Sequence, residues 1–165
     1  MGTPAFILSL REKIGTDPLW LCGTTAVVTR GDQLLLVRRA DNAAWTPVCG
    51  IVEPGEEPAD AAVRETIEEA DVVAEPARLA LVHVTAPITY ANGDRTQYVD
   101  IVFRLSWVSG EPHPADGENT DARWFRRDDL PQMSGDMLAR IDAALADEVG
   151  ARFGRATPGS ANMSQ

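Results

Sequence analysis

Apolar positions recur along the chain in two periods, one near 3.6 residues and one near 2, and the switches between them mark the elements. Residues 5–14 are amphipathic and are closed by Gly15 and an Asp17-Pro18 turn, predicting a short N-terminal helix that serves as a lid or brace. β-Branched and Leu-rich runs at 24–29 and 33–37 flank Arg30-Gly31-Asp32, the pattern of a hairpin. A loop at 40–44, a short strand at 47–52 and a Pro- and Gly-containing loop at 53–57 lead into a helix from about residue 58 to about 70. Two further strand runs, 77–90 and 96–108, flank Asn92-Gly93, a strong hairpin signal. A polar loop at 110–120, a last strand at 122–125 and a C-terminal helix at about 135–149 follow. From residue 151 the chain turns small and polar and is expected to form a disordered tail to residue 165.

With 165 residues, 44% of them hydrophobic, the chain supports one core, and residues 1–150 are expected to form a single domain. The formal charge of -10 argues against non-specific binding of nucleic acid, whose phosphates are held by clustered Lys and Arg, but leaves small metal-bound nucleotides open. No basic stretch precedes an apolar run at the N-terminus, and charges interrupt every hydrophobic segment, so neither a signal peptide nor a membrane span is expected. Cys22 and Cys49 both sit in apolar surroundings and read as reduced core thiols, which places the protein in the cytoplasm.

The chemistry concentrates in the helix after residue 58. On a helical wheel Ala59, Ala62, Val63, Thr66, Ile67 and Ala70 fall on one arc suited to packing on a sheet. Glu65, Glu68 and Glu69, at i, i+3 and i+4, converge on an edge beside that arc. Like charges at this spacing cost a helix about 0.2–0.5 kcal/mol per pair, and Arg64, placed to reach Glu68, offsets only part of it. A hard divalent cation with oxygen ligands and substrate phosphates suits the cluster; a solvated acidic face is the alternative for an isolated Glu-Glu pair. What precedes the helix favours the cation: Gly50, five residues, Glu56, seven residues, then Arg64-Glu65.

Residues 50–72 resemble the Nudix box, matching it at Gly50, Glu56, Arg64, Glu65, Glu68 and Glu69. Thr66 stands where an aliphatic residue is usual and Asp71 where glycine is usual; Asp tolerates the left-handed conformation better than most residues, so it can still end the helix. The strand at 34–39, Trp45, Arg123-Trp124-Phe125 and Asp129-Leu130-Pro131 extend the likeness over about residues 24–131.

The resemblance implies an α/β (α+β) fold, an αβα sandwich with a mixed β-sheet flanked by helices. It also implies a hydrolase acting on acid anhydrides in phosphorus-containing compounds. Magnesium, with manganese as an alternative, would neutralise the diphosphate while a water attacks phosphorus. By the same resemblance Glu65, Glu68 and Glu69 are metal ligands, with Glu56 and the Gly50 carbonyl as further candidates and Arg64 orienting a carboxylate. The general base is a box glutamate or an acid outside it, here Glu118 or Asp121. Trp45 is a candidate for stacking a base, or core, and one of Arg38 and Arg39 is expected to face phosphate, since neighbouring strand residues alternate. Tyr90 and Pro87 lie near positions that go with dinucleoside polyphosphates and ADP-ribose respectively, opposing cues. His83 and His113 have no metal-ligand spacing and receive no role. The leading expectation is a nucleoside triphosphate pyrophosphohydrolase; the alternatives are ADP-ribose or dinucleoside polyphosphate hydrolysis, and, in another class, a Nudix-like module that senses a nucleotide without cleaving it. The expected partner is a small nucleotide, and a homodimer stays open.

Overall fold

A computed structural model describes residues 3–154. Helix α1 (Ala5–Ile14) leads into strand β1 (Leu19–Arg30), and β2 (Gln33–Arg39) turns back against the end of β1. After β3 (Trp45–Thr46) and β4 (Val48–Ile51) comes α2 (Pro58–Ala70). Strands β5 (Val73–Val84), β6 (Ile88–Thr89), β7 (Arg95–Ser109) and β8 (Asn119–Arg126) precede α3 (Gly135–Leu145) and β9 (Arg152–Phe153).

The described strands join in one mixed sheet of path β3-β2-β1-β7-β5-β9, with β4 on β1, β6 on β7 and β8 on β2. β1 pairs parallel to β7 along most of its length and antiparallel to β4 on its other edge. Side chains alternate between the two faces of the sheet. Ala26, Val28, Leu35, Val37 and Leu105 pack beneath α2 with Ala62 and Ala70. Val27, Leu34, Leu36 and Val102 pack on the other side with Ile141 and Ala144 of α3. Two helices on opposite faces of one mixed sheet make the αβα sandwich expected from the sequence.

The helix carrying the acids occupies the predicted span. Pro58 at its start has the φ a first helical residue needs and lacks an N–H that would go unpaired there. Asp71 ends it in the left-handed conformation, φ 52 and ψ 35. Thr66, in place of an aliphatic residue, satisfies its buried hydroxyl on the Ala62 carbonyl at 2.7 Å.

Some boundaries differ from the pattern reading. The run predicted at 77–90 begins at Val73 and breaks after Val84, so the Asn92-Gly93 turn joins the short β6 to β7 rather than closing one unbroken hairpin. α3 stops at Leu145 because Ala146 is extended. Arg152 and Phe153, inside the expected disordered tail, pair with Leu81 and Val82, and Arg152 is tied to Asp142 at 2.6 Å and Glu148 at 2.9 Å. The rest of that tail, residues 155–165, lies outside the described residues. No helix among the described residues is long and apolar enough to cross a membrane.

Candidate functional site

β4 carries Gly50 to the edge of α2, where the helix presents Glu65. A β-carbon built on Gly50 would sit 2.1 Å from the Glu65 carboxyl carbon, so only glycine leaves room for that carboxylate against the strand. Arg64 gathers the acids around it. Its Nε and Nη2 donate to the two oxygens of Glu56 at 2.8 and 3.0 Å. Its Nη1 donates to Glu65 at 2.8 Å and Glu68 at 3.1 Å, and Nη2 reaches the Ile51 carbonyl at 3.2 Å. The planar guanidinium fork allows this many simultaneous contacts, which a lysine could not match.

The helix is turned from the orientation its apolar arc implies. Ile67 is 42% exposed, whereas Glu69 is only 5% exposed and lies on the packed face with Ala62, Thr66 and Ala70. Small side chains at these positions let α2 approach the sheet, and Asn119 at the start of β8 catches Glu69, donating to it at 2.8 Å. The wheel placed Ile67 within the packed arc and Glu69 on the edge beside it, so it missed this roll.

Burial and charge separate the acids. Burial pushes the Glu69 carboxyl up to about 8, the charges of Glu65, Asp116 and Glu118 add to the rise, and the Asn119 bond opposes it. Burial also raises Glu65 against the pull of Arg64. Glu56 is held below its ordinary value by its bonds to Arg64. Among the described residues no Lys or Arg forms an ion pair with Glu69. A buried carboxylate without a counter-charge is costly, and oxygen-only donors beside a strand carbonyl are the chemistry that magnesium prefers. Glu65, Glu68, Glu69, Glu56 and the Gly50 carbonyl therefore fit a divalent cation in kind. In the conformation seen, Glu56, Glu65 and Glu68 are drawn to Arg64, and no three acidic, His or Cys groups among the described residues already stand in metal-ligand geometry.

A cavity of about 710 Å³ opens beside this cluster. Of the residues singled out from the sequence, Gly50, Arg64, Glu65, Arg39, Trp45 and Glu118 line it. Arg39, not Arg38, faces the cavity, held by a two-point bond to Asp41 at 2.8 and 2.9 Å. Arg38 is exposed, donates to the Ala43 carbonyl and is not on the cavity wall. Trp45 packs edge-on to Phe125 at 4.8 Å and also borders the cavity. Asp121 is paired with Arg123 and is not on the cavity wall. Tyr90 lines the far end, where its hydroxyl lies 3.1 Å from that of Tyr98.

The cysteines depart from the expected core. Both are free and only partly buried, and Cys49 borders the cavity, its thiol pushed up to about 11 by burial. Pattern reading also missed Asn119, Asp100 and Arg140. Asp100 carried a signal, a carboxylate between Val99 and Ile101 in an apolar strand; so did Arg140, a charge beside Ile141 on the packed side of α3.

Residues 22–146 match the profile of the NUDIX domain. The NAD-capped RNA hydrolase NudC of Pseudomonas syringae pv. syringae is 35% identical over 133 residues, covering 76% of this chain and 44% of that protein. The chain thus spans less than half the length of the NudC relatives it matches. A MutT-like protein of Streptomyces ambofaciens is 30% identical over 133 residues, 80% of each chain. Among solved structures, an ADP-ribose pyrophosphatase of Streptococcus suis superposes with a TM-score of 0.63 at 22% identity, covering 81% of this chain and 98% of that one. A MutT NUDIX hydrolase of Burkholderia pseudomallei gives 0.62 at 25% identity, covering 78% and 99%.

Proposed function

Since this chain belongs to the NUDIX family, we propose that it is a metal-dependent hydrolase that cleaves the diphosphate of a nucleoside diphosphate linked to a second moiety. The observation that carries the reading is the convergence of Arg64, Glu65 and Gly50 on the wall of the cavity, with Glu69 buried behind them. Glu65, Glu68 and Glu69 would hold magnesium, or manganese, with Glu56 and the Gly50 carbonyl as further ligands. Bound there, the cation supplies Lewis-acid neutralisation of the diphosphate and raises the acidity of the attacking water. Arg64 gathers Glu56, Glu65 and Glu68 at one edge of the helix, from which the carboxylates would turn toward a cation. Arg39 offers charge to a phosphate and Trp45 an aromatic face to a base. The acids that a non-cleaving sensor would lose are all present.

A diphosphate flanked by two groups is favoured over the nucleoside triphosphate first expected. The related proteins carry names for NAD-capped RNA and ADP-ribose, and the cavity continues past the acids to Tyr90 and Tyr98. Net charge of -10 opposes a long RNA grip, so a free dinucleotide or nucleotide sugar is the preferred client. A phosphate-release assay with magnesium, coupled to a phosphatase for NAD, ADP-ribose, nucleotide sugars and dinucleoside polyphosphates and to a pyrophosphatase for nucleoside triphosphates, tests this. Turnover of diphosphate-linked compounds above triphosphates is expected; preference for triphosphates would reverse the substrate reading, and silence across the panel would remove the enzyme reading.

Glu118 is the proposed base. It lines the cavity, and its charge is felt by both Glu65 and Glu69. Glu118→Gln is expected to lower kcat by about 100-fold or more. Wild-type turnover across pH in the variant would assign the proton to a box glutamate instead.

A further inference from the structure

On the side of β4 away from Glu65, the cavity wall holds a second polar centre. Asp100 on β7 is 3% exposed and Arg140 on α3 is 5% exposed, yet both border the cavity. Thr25 Oγ lies 3.0 Å from each Asp100 oxygen, but its single proton can serve only one at a time. Asp100 Oδ2 also receives Arg140 Nη1 at 3.2 Å and faces His83 Nε2 at 3.2 Å. Arg140 is itself held by Thr25 at 2.8 Å and by Asp136 at 2.8 Å. Oδ2 is therefore crowded with donors, while Oδ1 shares one hydroxyl proton and retains room for another donor.

Gly23 on β1 keeps that oxygen open. A β-carbon there would stand 3.5 Å from Asp100 Oδ1, 3.6 Å from the Gly50 carbonyl oxygen and 3.3 Å from the Tyr98 ring. Three chemically distinct groups thus face one small space at the cavity wall: a carboxylate oxygen, a carbonyl oxygen and an aromatic edge. A buried ion pair adds little to stability compared with apolar residues of similar volume, so its place on a ligand cavity needs another reason.

We propose that Asp100 Oδ1, facing the space that Gly23 leaves and braced by Thr25, Arg140 and His83, accepts a hydrogen bond from an uncharged donor on the substrate's nucleoside and so selects it. This rests on the reading that the cavity receives a nucleotide. The donor is either the amino group of a base or the ribose 2′-hydroxyl, and the shared chemistry is an N–H or O–H placed beside the Tyr98 ring. An analogue without that donor would bury the carboxylate oxygen unanswered, which is the basis of strong discrimination by polar sites.

Gly23→Ala separates recognition from folding. Its contacts of 3.3–3.6 Å require the Tyr98 ring to yield by a few tenths of an ångström, and alanine suits a strand at least as well as glycine. The binding of AMP, CMP, IMP, UMP and 2′-deoxy-AMP, with magnesium, is measured by calorimetry on wild type and Gly23→Ala, beside the melting temperature of each. Wild type is expected to favour one donor-bearing set by at least about tenfold, AMP and CMP over IMP and UMP for an amino donor, or AMP over 2′-deoxy-AMP for a hydroxyl. The preference collapses in Gly23→Ala while the melting temperature stays within a few degrees. Equal binding of all five by wild type, or a preference that survives in Gly23→Ala, overturns the proposal. Either result with hydrolysis intact leaves the enzyme reading standing; loss of both nucleotide binding and hydrolysis in wild type removes that reading as well.

Discussion

Glu69→Gln is expected to lower kcat by at least about 100-fold, the loss that follows when one of a few cation ligands is removed, and yet to make the metal-free protein more stable at alkaline pH. The stability gain follows from the raised carboxyl, about 8 in the fold against an ordinary 4.5. Between those values the folded state keeps a proton that the unfolded chain has released, so wild type loses stability as pH rises from about 4.5 to about 8. Glutamine has no proton to lose and can still accept the Asn119 bond. The difference in melting temperature between variant and wild type, measured by scanning calorimetry with chelator, is therefore near zero at pH 4.5 and levels off above pH 8. Each kcal/mol corresponds to about 2–4 °C in a chain of this size. Magnesium added at pH 8 stabilises wild type more than the variant. A difference that does not vary with pH would show that Glu69 is not protonated in the fold.

Gly50→Ala is expected to be the complementary case, losing activity with little loss of fold. The new β-carbon meets the Glu65 side chain at 2.1–2.2 Å, but that obstacle is the end of a flexible side chain rather than backbone. The carboxylate swings aside, its 2.8 Å bond to Arg64 breaks, and the strand stays paired with β1. Misplacement of a catalytic group by about an ångström can cost about 100-fold, so kcat falls by that order while the melting temperature drops by less than about 5 °C. A kcat near wild type would mean that the seat of Glu65 against Gly50 is dispensable. A collapse of the melting temperature would place the clash on the strand instead.

How far the site could be read in advance depended on how local its determinants are. Pro58, the 3.6-residue period and Asp71 all lie within one helix and its cap, so the span of α2 and its left-handed end were legible. The Arg64 hub follows from spacing along the same segment. The roll of α2 was not legible, because Glu69 is held by Asn119, 50 residues away, and only the pairing of β8 with β2 brings that residue near. Asp100 and Arg140 were harder still. Arg140 meets Thr25 across 115 residues of sequence, and a single charge in an apolar run does not say which distant partner answers it. The choice between Arg38 and Arg39 turned on a register shift between them in the pairing with β8, which alternation alone cannot supply.

The parallel pairing of β1 with β7 also governs how the chain comes off the ribosome. Thr24 of β1 finds its β7 partner, the Ile101 carbonyl, 77 residues further on. At roughly 5–20 residues per second of synthesis, β1 waits for seconds with its apolar residues and one edge unsatisfied. Gly23 does not have its surroundings, Tyr98 and Asp100, until β7 arrives. The acid cluster of residues 50–68 can gather early, whereas the Asp100 wall of the same cavity is completed late, through a non-local parallel pairing of the kind that slows folding.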